Sequence, residues 1–170
     1  MRESIGSTWV FMLVIVFILL FVSFLTLALT YSKSFKTKNE LINIIEKYEG
    51  VSSDSVKVIN NYLSYTGYDI KGQCPSDNTG KWLASTNLKA NTLVKAQNGQ
   101  EYFYCVRRDY TTKPVKGGKS KKNLKSVYYE IVIFYRFNLP IIDTVTKFKV
   151  DGLTGDIVKT NDYFDKVSFN

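Results

Sequence analysis

The sequence predicts an α+β protein, with a long N-terminal helix and a shorter second helix packed on an antiparallel sheet of about four strands. Three observations carry this reading. Residues 9–31 are continuously apolar, residues 41–48 repeat apolar side chains at helical spacing, and the chain from residue 92 onward alternates apolar and polar side chains between turn signals. The order that results is a short segment or leader (1–8), a transmembrane helix (9–31), an amphipathic helical extension (32–50) and a domain (51–170).

The apolar run WVFMLVIVFILLFVSFLTLALTY has 23 residues and contains no charge, Pro or Gly. As a helix it would be roughly 34 Å long, enough to cross a hydrocarbon core of about 30 Å. Trp9 and Tyr31 bracket it, where amphipathic rings favour the membrane interfaces. A cleaved secretory signal is the alternative, but its apolar core is usually about 7–15 residues, and only Thr26-Leu27-Ala28 resembles a small-x-small cleavage site. No Cys lies near the end of the run, so lipoprotein acylation has no thiol to use. A core helix of a soluble protein rarely sustains so long an apolar stretch.

Two signals disagree about orientation. Lys33, Lys36 and Lys38 follow the run, while Arg2 beside Glu3 precedes it, which places the C-terminal domain in the cytoplasm by the positive-inside rule. Cys74 and Cys105, the only cysteines, suit a disulfide in an oxidising compartment. Such a bridge would close about 30 residues and add roughly 3–4 kcal/mol. Two unrelated buried thiols are the other reading. The expectation adopted is a single-pass protein of the cell membrane with its domain outside.

Composition bounds the chemistry. The net charge is +8, carried by the part after the apolar run and mostly by Lys. It favours an anionic neighbour such as acidic lipid, wall polymer or nucleic acid, although solubility alone accounts for it equally. With 12 Tyr, 11 Phe and 2 Trp the chain suits strands with a well-packed face. His is absent, which removes the commonest general base and metal ligand.

The first helix is expected to continue past Tyr31. No Gly or Pro stands between Ser7 and Glu49, and Gly50 supplies a stop. Leu41, Ile44, Ile45 and Tyr48 fall on one face, with Lys36, Lys38, Asn39, Asn43, Glu46 and Lys47 on others. One helix of about 43 residues, roughly 65 Å long, would result; the alternative is a break at 33–37. A second helix is predicted over 53–66, capped by Ser52 or Ser53, with Asp54 in its first turn and Val56, Ile59, Tyr62 and Leu63 facing inward before Gly67.

Residues 71–91 read as loop, with Gly72, Pro75, Gly80 and Ser76-Asp77-Asn78; Trp82 there is expected to cover the edge of the core rather than stack on a ligand. Asn98-Gly99 between LVKAQ and QEYFYCVRR predicts a hairpin, with Cys105 inside its second strand. The longest strand is 126–137. Val127, Tyr129, Ile131, Ile133, Tyr135 and Phe137 share one face, and Tyr128, Glu130, Val132, Phe134 and Arg136 share a half-wet opposite face before Asn138-Leu139-Pro140. Strands at 145–151 and 156–160 follow, joined by Gly152-Leu153-Thr154-Gly155.

Lys113, Lys116, Lys119, Lys121, Lys122 and Lys125 crowd one loop that holds no acid, a candidate contact for anionic wall polymer or lipid headgroups, or simply a solvated hairpin. It lacks the interleaved aromatics of a single-strand nucleic-acid platform. The segment 151–156 has oxygen ligands but not the 12-residue calcium pattern, so a plain turn is expected. Glu130 and Arg136 are too few for acid–base chemistry, and no phosphate-cradling G-x-x-x-x-G-K-[ST] occurs. The expectation is a non-enzymatic chain without metal, cofactor or small-molecule substrate.

A few hydrophilic residues end at Gly6, an apolar helix begins at once, and it runs on as a stalk into a sheet domain. This arrangement resembles type IV pilins and pseudopilins. The stretch YEIVIFYRFNLP at 129–140, followed by the strand at 145–150, is similar to TadE-like pseudopilins of tight-adherence pili. The resemblance covers nearly the whole chain through loose motifs. It implies a bacterial protein with its domain outside and its helix packed against other pilin-like or membrane subunits in a pilus or its assembly machinery. It would make Gly6 the residue before a prepilin-peptidase cut and Ser7 the mature N-terminus. Pilins usually carry Glu five residues after the cut, and here Phe11 stands in that place. The surface Ile15, Val16, Leu19, Leu20, Val22 and Leu27 lacks the small-xxx-small seam of tight dimers, so packing would need a bundle of partners. The alternatives are a bitopic scaffold of a secretion or conjugation system, and an anchored binding module for an anionic surface polymer.

Overall fold

The computed structural model describes residues 2–76, 82–113, 124–139 and 142–157. It is α+β, with α1 at Arg2–Lys47, α2 at Ser53–Tyr65, and strands β1 at Trp82–Ala84, β2 at Val94–Lys95, β3 at Tyr104–Lys113, β4 at Leu124–Leu139 and β5 at Ile142–Leu153. The antiparallel sheet has five strands in the order β2-β1-β3-β4-β5, one more than expected.

Helix α1 is continuous through 33–37 and 46 residues long, about 69 Å. Its end is closed by Gly50 N donating to Ile45 O at 2.9 Å, with Glu49 at φ 53° and Gly50 at φ 138°. The left-handed step therefore begins one residue before the glycine. Helix α2 starts in a capping box: Ser55 N donates to Ser52 Oγ at 3.2 Å, and Ser52 N donates to Ser55 Oγ at 2.8 Å. Ser55 thus plays the part that Glu or Gln usually takes.

The core lies between the two helices and one face of the sheet. Leu41, Ile45, Val56, Ile59 and Leu63 pack on Tyr104, Val106, Tyr129, Ile131 and Ile133. Tyr48, expected on the same face as Leu41, stays 39% exposed because the helix is already closing there. Two buried polar groups are satisfied across the core: Tyr104 Oη donates to Asn60 Oδ1 at 3.1 Å, and Asn60 Nδ2 donates to Ala90 O at 2.6 Å. The far face of the sheet carries a second cluster of Trp82, Ala84, Tyr102, Cys105, Val132 and Phe134. This is why alternate positions of β4 read as only half wet.

Two expectations about strands need correction. Trp82 lies on a strand and not in a loop, buried against Val132 and Phe134 on the second face. The Asn98-Gly99 turn forms, with Gly99 at φ 84°, but its arms do not pair with each other. Strand β1 enters between them, Leu83 pairing with Lys95 on one side and with Val106 on the other. A local turn signal cannot anticipate a distant segment competing for the same edge. Beyond Gly155 the pairing among the described residues is a single bridge, Val127 with Ile157; of the strand expected at 156–160, residues 158–160 lie outside the described residues.

Strand β4 runs antiparallel to α1. Tyr135 and Arg136 lie beside Lys33 and Thr37. A Cβ on Gly152, the register partner of Ile131, would lie 2.7 Å from Lys38 Cδ and 2.8 Å from Ile42 Cδ1. Further along, Gly155 N donates to Glu46 Oε1 at 2.6 Å. The C-terminal end of β4 therefore points toward the apolar half of α1, and its N-terminal end points away.

Candidate functional site: an uncovered apolar helix

Among the described residues none covers the part of α1 that precedes the domain. One helical segment is long and apolar enough to cross a membrane, its most apolar window has mean hydropathy 3.1, and 0% of that window is buried. Trp9, Phe11, Phe17, Phe24 and Leu29 are each more than half exposed, at 66–74%. Apolar surface on this scale is costly in water and calls for lipid or other helices around it. The chain thus carries a helix suited to a single-pass membrane anchor.

Three hydroxyls of this helix are bonded to its own backbone. Ser23 Oγ donates to Leu19 O at 2.8 Å, Thr26 Oγ1 to Val22 O at 2.9 Å and Thr30 Oγ1 to Thr26 O at 2.9 Å. Each hydroxyl is satisfied within its own turn, which hydrocarbon requires. Thr26, Thr30 and Ser34 also form a small-residue line at spacing four, which the sequence reading overlooked. Ser34 is 0% exposed, so that line runs under the domain at one end. Gly6 and Ser7 lie within the helical backbone of α1.

The six lysines are not gathered into a described site. Lys113 pairs in register with Leu124 and Lys125 with Thr112, at the last described rungs of the β3–β4 ladder. Lys116, Lys119, Lys121 and Lys122 lie outside the described residues. From Tyr135 to Leu124 β4 extends about 36 Å, so Lys113 and Lys125 are at the end of the ladder remote from the apolar helix.

Cys74 and Cys105 are joined, with Sγ–Sγ 1.98 Å across a sequence separation of 31. The bridge fastens the 72–76 segment to β3, beside the backbone pair between Gly72 and Tyr102. Next to it is a cleft of about 600 Å³, lined in part by Gln73, Cys74, Trp82, Glu130, Lys149 and Asp151. Arg107, which faces Glu130 across the β3–β4 ladder, donates to Glu130 Oε2 and lies 5.1 Å over the Trp82 ring. Glu130 is therefore held in an ion pair, and the cleft presents both signs of charge. At the turn 151–156, Thr154 Oγ1 accepts from Tyr129 N at 2.9 Å and Glu46 accepts from Gly155 N, so the turn is tied to β4 and α1. Among the described residues no group of three or more His, Cys, Asp or Glu could hold a metal ion. Glu101, exposed, is held below the usual carboxylate range by a 2.6 Å hydrogen bond from Lys147 and by that residue's charge.

No family model matches the chain, and neither a curated protein nor a solved structure matches it. What the chain does has therefore to be argued from its own geometry.

Proposed function

We propose that this chain is a non-enzymatic, single-pass membrane subunit of pilin-like type, a structural component of a bacterial pilus or of its assembly machinery, with its domain outside the cell. The observation that carries the reading is the continuity of α1. One rigid helix of 46 residues is both the apolar element and the spine of the domain. A tether needs no such continuity, since a flexible linker would serve. A helix that must transmit its position in a bundle to an exposed head does need it. The bridged cysteines support the outside placement, because an oxidising compartment is where such bonds persist.

The bitopic scaffold is the second reading, favoured by Phe11 where pilins carry Glu. Intact mass of the protein from its native membrane separates the two. A mature chain beginning at Ser7 supports the pilin-like subunit, and a retained Met1 refutes it in favour of the scaffold. Lys113 and Lys125 stand at the end of the β3–β4 ladder remote from the apolar helix, which favours a wall polymer or a neighbouring subunit over the headgroups of the anchoring membrane as the contact of the six lysines. Replacing all six lysines by Gln should lower retention on anionic polymer at low salt; unchanged retention removes that role.

A further inference from the structure

Strand β4 and helix α1 can be levelled against each other at three places. Thr154 N donates to Tyr129 O at 2.9 Å, and the next residue, Gly155, donates from its N to Glu46 Oε1. Ile131 pairs with Gly152, where a Cβ would meet Lys38 and Ile42. Tyr135 lies beside Lys33 and Thr37. From Tyr129 to Tyr135 the strand covers about 20 Å, while from Glu46 to Thr37 or Lys33 the helix covers about 14–20 Å. Most of the strand's length is therefore progress along α1 toward its apolar half.

The ladder continues past Tyr135. Phe137 pairs with Thr146 and Leu139 with Ile142, with an irregularity between the two rungs. Leu139 is about 13 Å of strand beyond Tyr135. It is hence about 9–13 Å further along the helix, or about 6–9 helical residues. That puts the Leu139–Ile142 rung between the levels of Phe24 and Tyr31, alongside the last turns of the apolar run. Pro140 and Ile141, which join the two, lie outside the described residues.

The charge pattern changes at the same level on both elements. On α1 no charge stands between Trp9 and Tyr31, and Lys33 and Lys36 follow at once. On the sheet Arg136 pairs with Lys147, and no charge stands in the rungs beyond, Phe137 with Thr146 and Leu139 with Ile142. The sequence FNLPII at 137–142 is uncharged, and Asp143 follows it. A solvated connection between paired strands favours Asn, Asp or Gly, and Leu139-Pro140-Ile141-Ile142 supplies none of them. Phe, Leu and two Ile at one end of a sheet are costly in water and suit a bilayer interface. We propose that this end of the β4–β5 ladder, at Phe137, Leu139 and Ile142, enters the lipid beside α1, in the leaflet from which the domain emerges. The head is then held by two membrane contacts and does not swing freely about the helix. This rests on the anchoring of α1 in a bilayer but not on the pilin-like role, and it holds for either orientation.

The test uses the full chain, its Cys74–Cys105 bridge intact, in phosphatidylcholine vesicles. An environment-sensitive fluorophore is attached at Leu139→Cys, at Leu20→Cys within the apolar run, and at Lys125→Cys at the remote end of β4. Two quenchers are compared: a nitroxide carried on the lipid acyl chain, shallow or deep, and iodide in the water on both sides of the bilayer. Emission at Leu139→Cys should fall severalfold with the shallow nitroxide and change little with iodide, and Lys125→Cys should show the reverse. No lipid quenching at Leu20→Cys refutes the anchor and this proposal with it. Lipid quenching at Leu20→Cys together with iodide quenching at Leu139→Cys overturns this proposal alone, as does lipid quenching of equal depth at Lys125→Cys. A Leu139→Cys label reached by neither quencher lies against protein, which also overturns the lipid contact. Where Leu139→Cys fails to fold by near-UV circular dichroism, Ile142→Cys, at its register partner, gives the same reading.

Discussion

Gly72 stands where a methyl group has no room, and its replacement by Ala measures how tightly the second face of the sheet is packed. A Cβ built there lies 2.3 Å from Phe134 Cδ1, 2.5 Å from Cγ and 2.8 Å from Cε1. Carbon atoms rest at about 3.5–4.0 Å, so the ring would have to withdraw by more than about 1 Å. It has little freedom to do so, being 4% exposed and packed with Trp82, Tyr102 and Val132. Gly72 cannot yield either, because its N–H donates to Tyr102 O at 3.0 Å, its C=O accepts from Tyr102 N at 2.8 Å, and Cys74 follows in the bridged segment. Overpacking of this kind costs about 1–3 kcal/mol, and the rigidity of both sides puts Gly72→Ala near 2–3 kcal/mol. For a domain of this size that lowers the melting temperature by about 6–15 °C. The assay is a near-UV circular dichroism melt of the full chain in micelles, where the apolar helix stays in detergent throughout and the transition reports the domain. Phe134→Leu supplies the control: with the ring gone, Gly72→Ala should cost little more, a coupling of about 2 kcal/mol. A Gly72→Ala melt within about 1 °C of the parent, or strict additivity with Phe134→Leu, would refute the packing argument.

Three further outcomes follow from other parts of the molecule. Replacing Cys74 and Cys105 by Ser removes a bridge spanning 31 positions and should cost about 3–4 kcal/mol, read as a lower denaturant midpoint; an unchanged midpoint would mean that the backbone pair at Gly72 and Tyr102 already holds the segment. Ser52→Ala removes one half of the capping box and should destabilise by about 1 kcal/mol, whereas Ser53→Ala, one residue inside the helix, should cost less; equal effects would contradict the cap assignment. Asp at Phe17, Leu20 and Phe24 together should cost about 10 kcal/mol of insertion free energy and release the chain from alkali-washed membranes. Retention would mean that the apolar helix is not what holds it there.

Some of this was legible because it depends only on neighbours in sequence. The apolar run, the helical spacing through Ile45, the serine cap before Val56 and the alternation along 126–137 are all local, and each element formed close to its expected place. The sheet was less legible where short segments compete. Trp82-Leu83-Ala84 has too few residues to show alternation, so nothing marked it as the strand between the two arms of the Asn98-Gly99 turn. Tyr135 falls on the core face as its alternation predicts, but no local pattern could show that its ring would pack between Tyr68 and Phe148.

The sequence by itself determined that the chain carries a helix long and apolar enough to cross a membrane and an α+β head, because hydrophobicity and helical rise add up residue by residue and need no distant partner. It also limited the chemistry, since a chain without His lacks the commonest base and metal ligand. The tertiary structure alone decided the strand order, the pairing of Cys74 with Cys105 and the antiparallel course of β4 along α1. Those features arise from contacts between residues far apart in the chain, where packing and not local pattern selects the partner. Gly152 and Gly155 meet α1 for this reason, and Lys113 and Lys125 stand at the other end of the β3–β4 ladder.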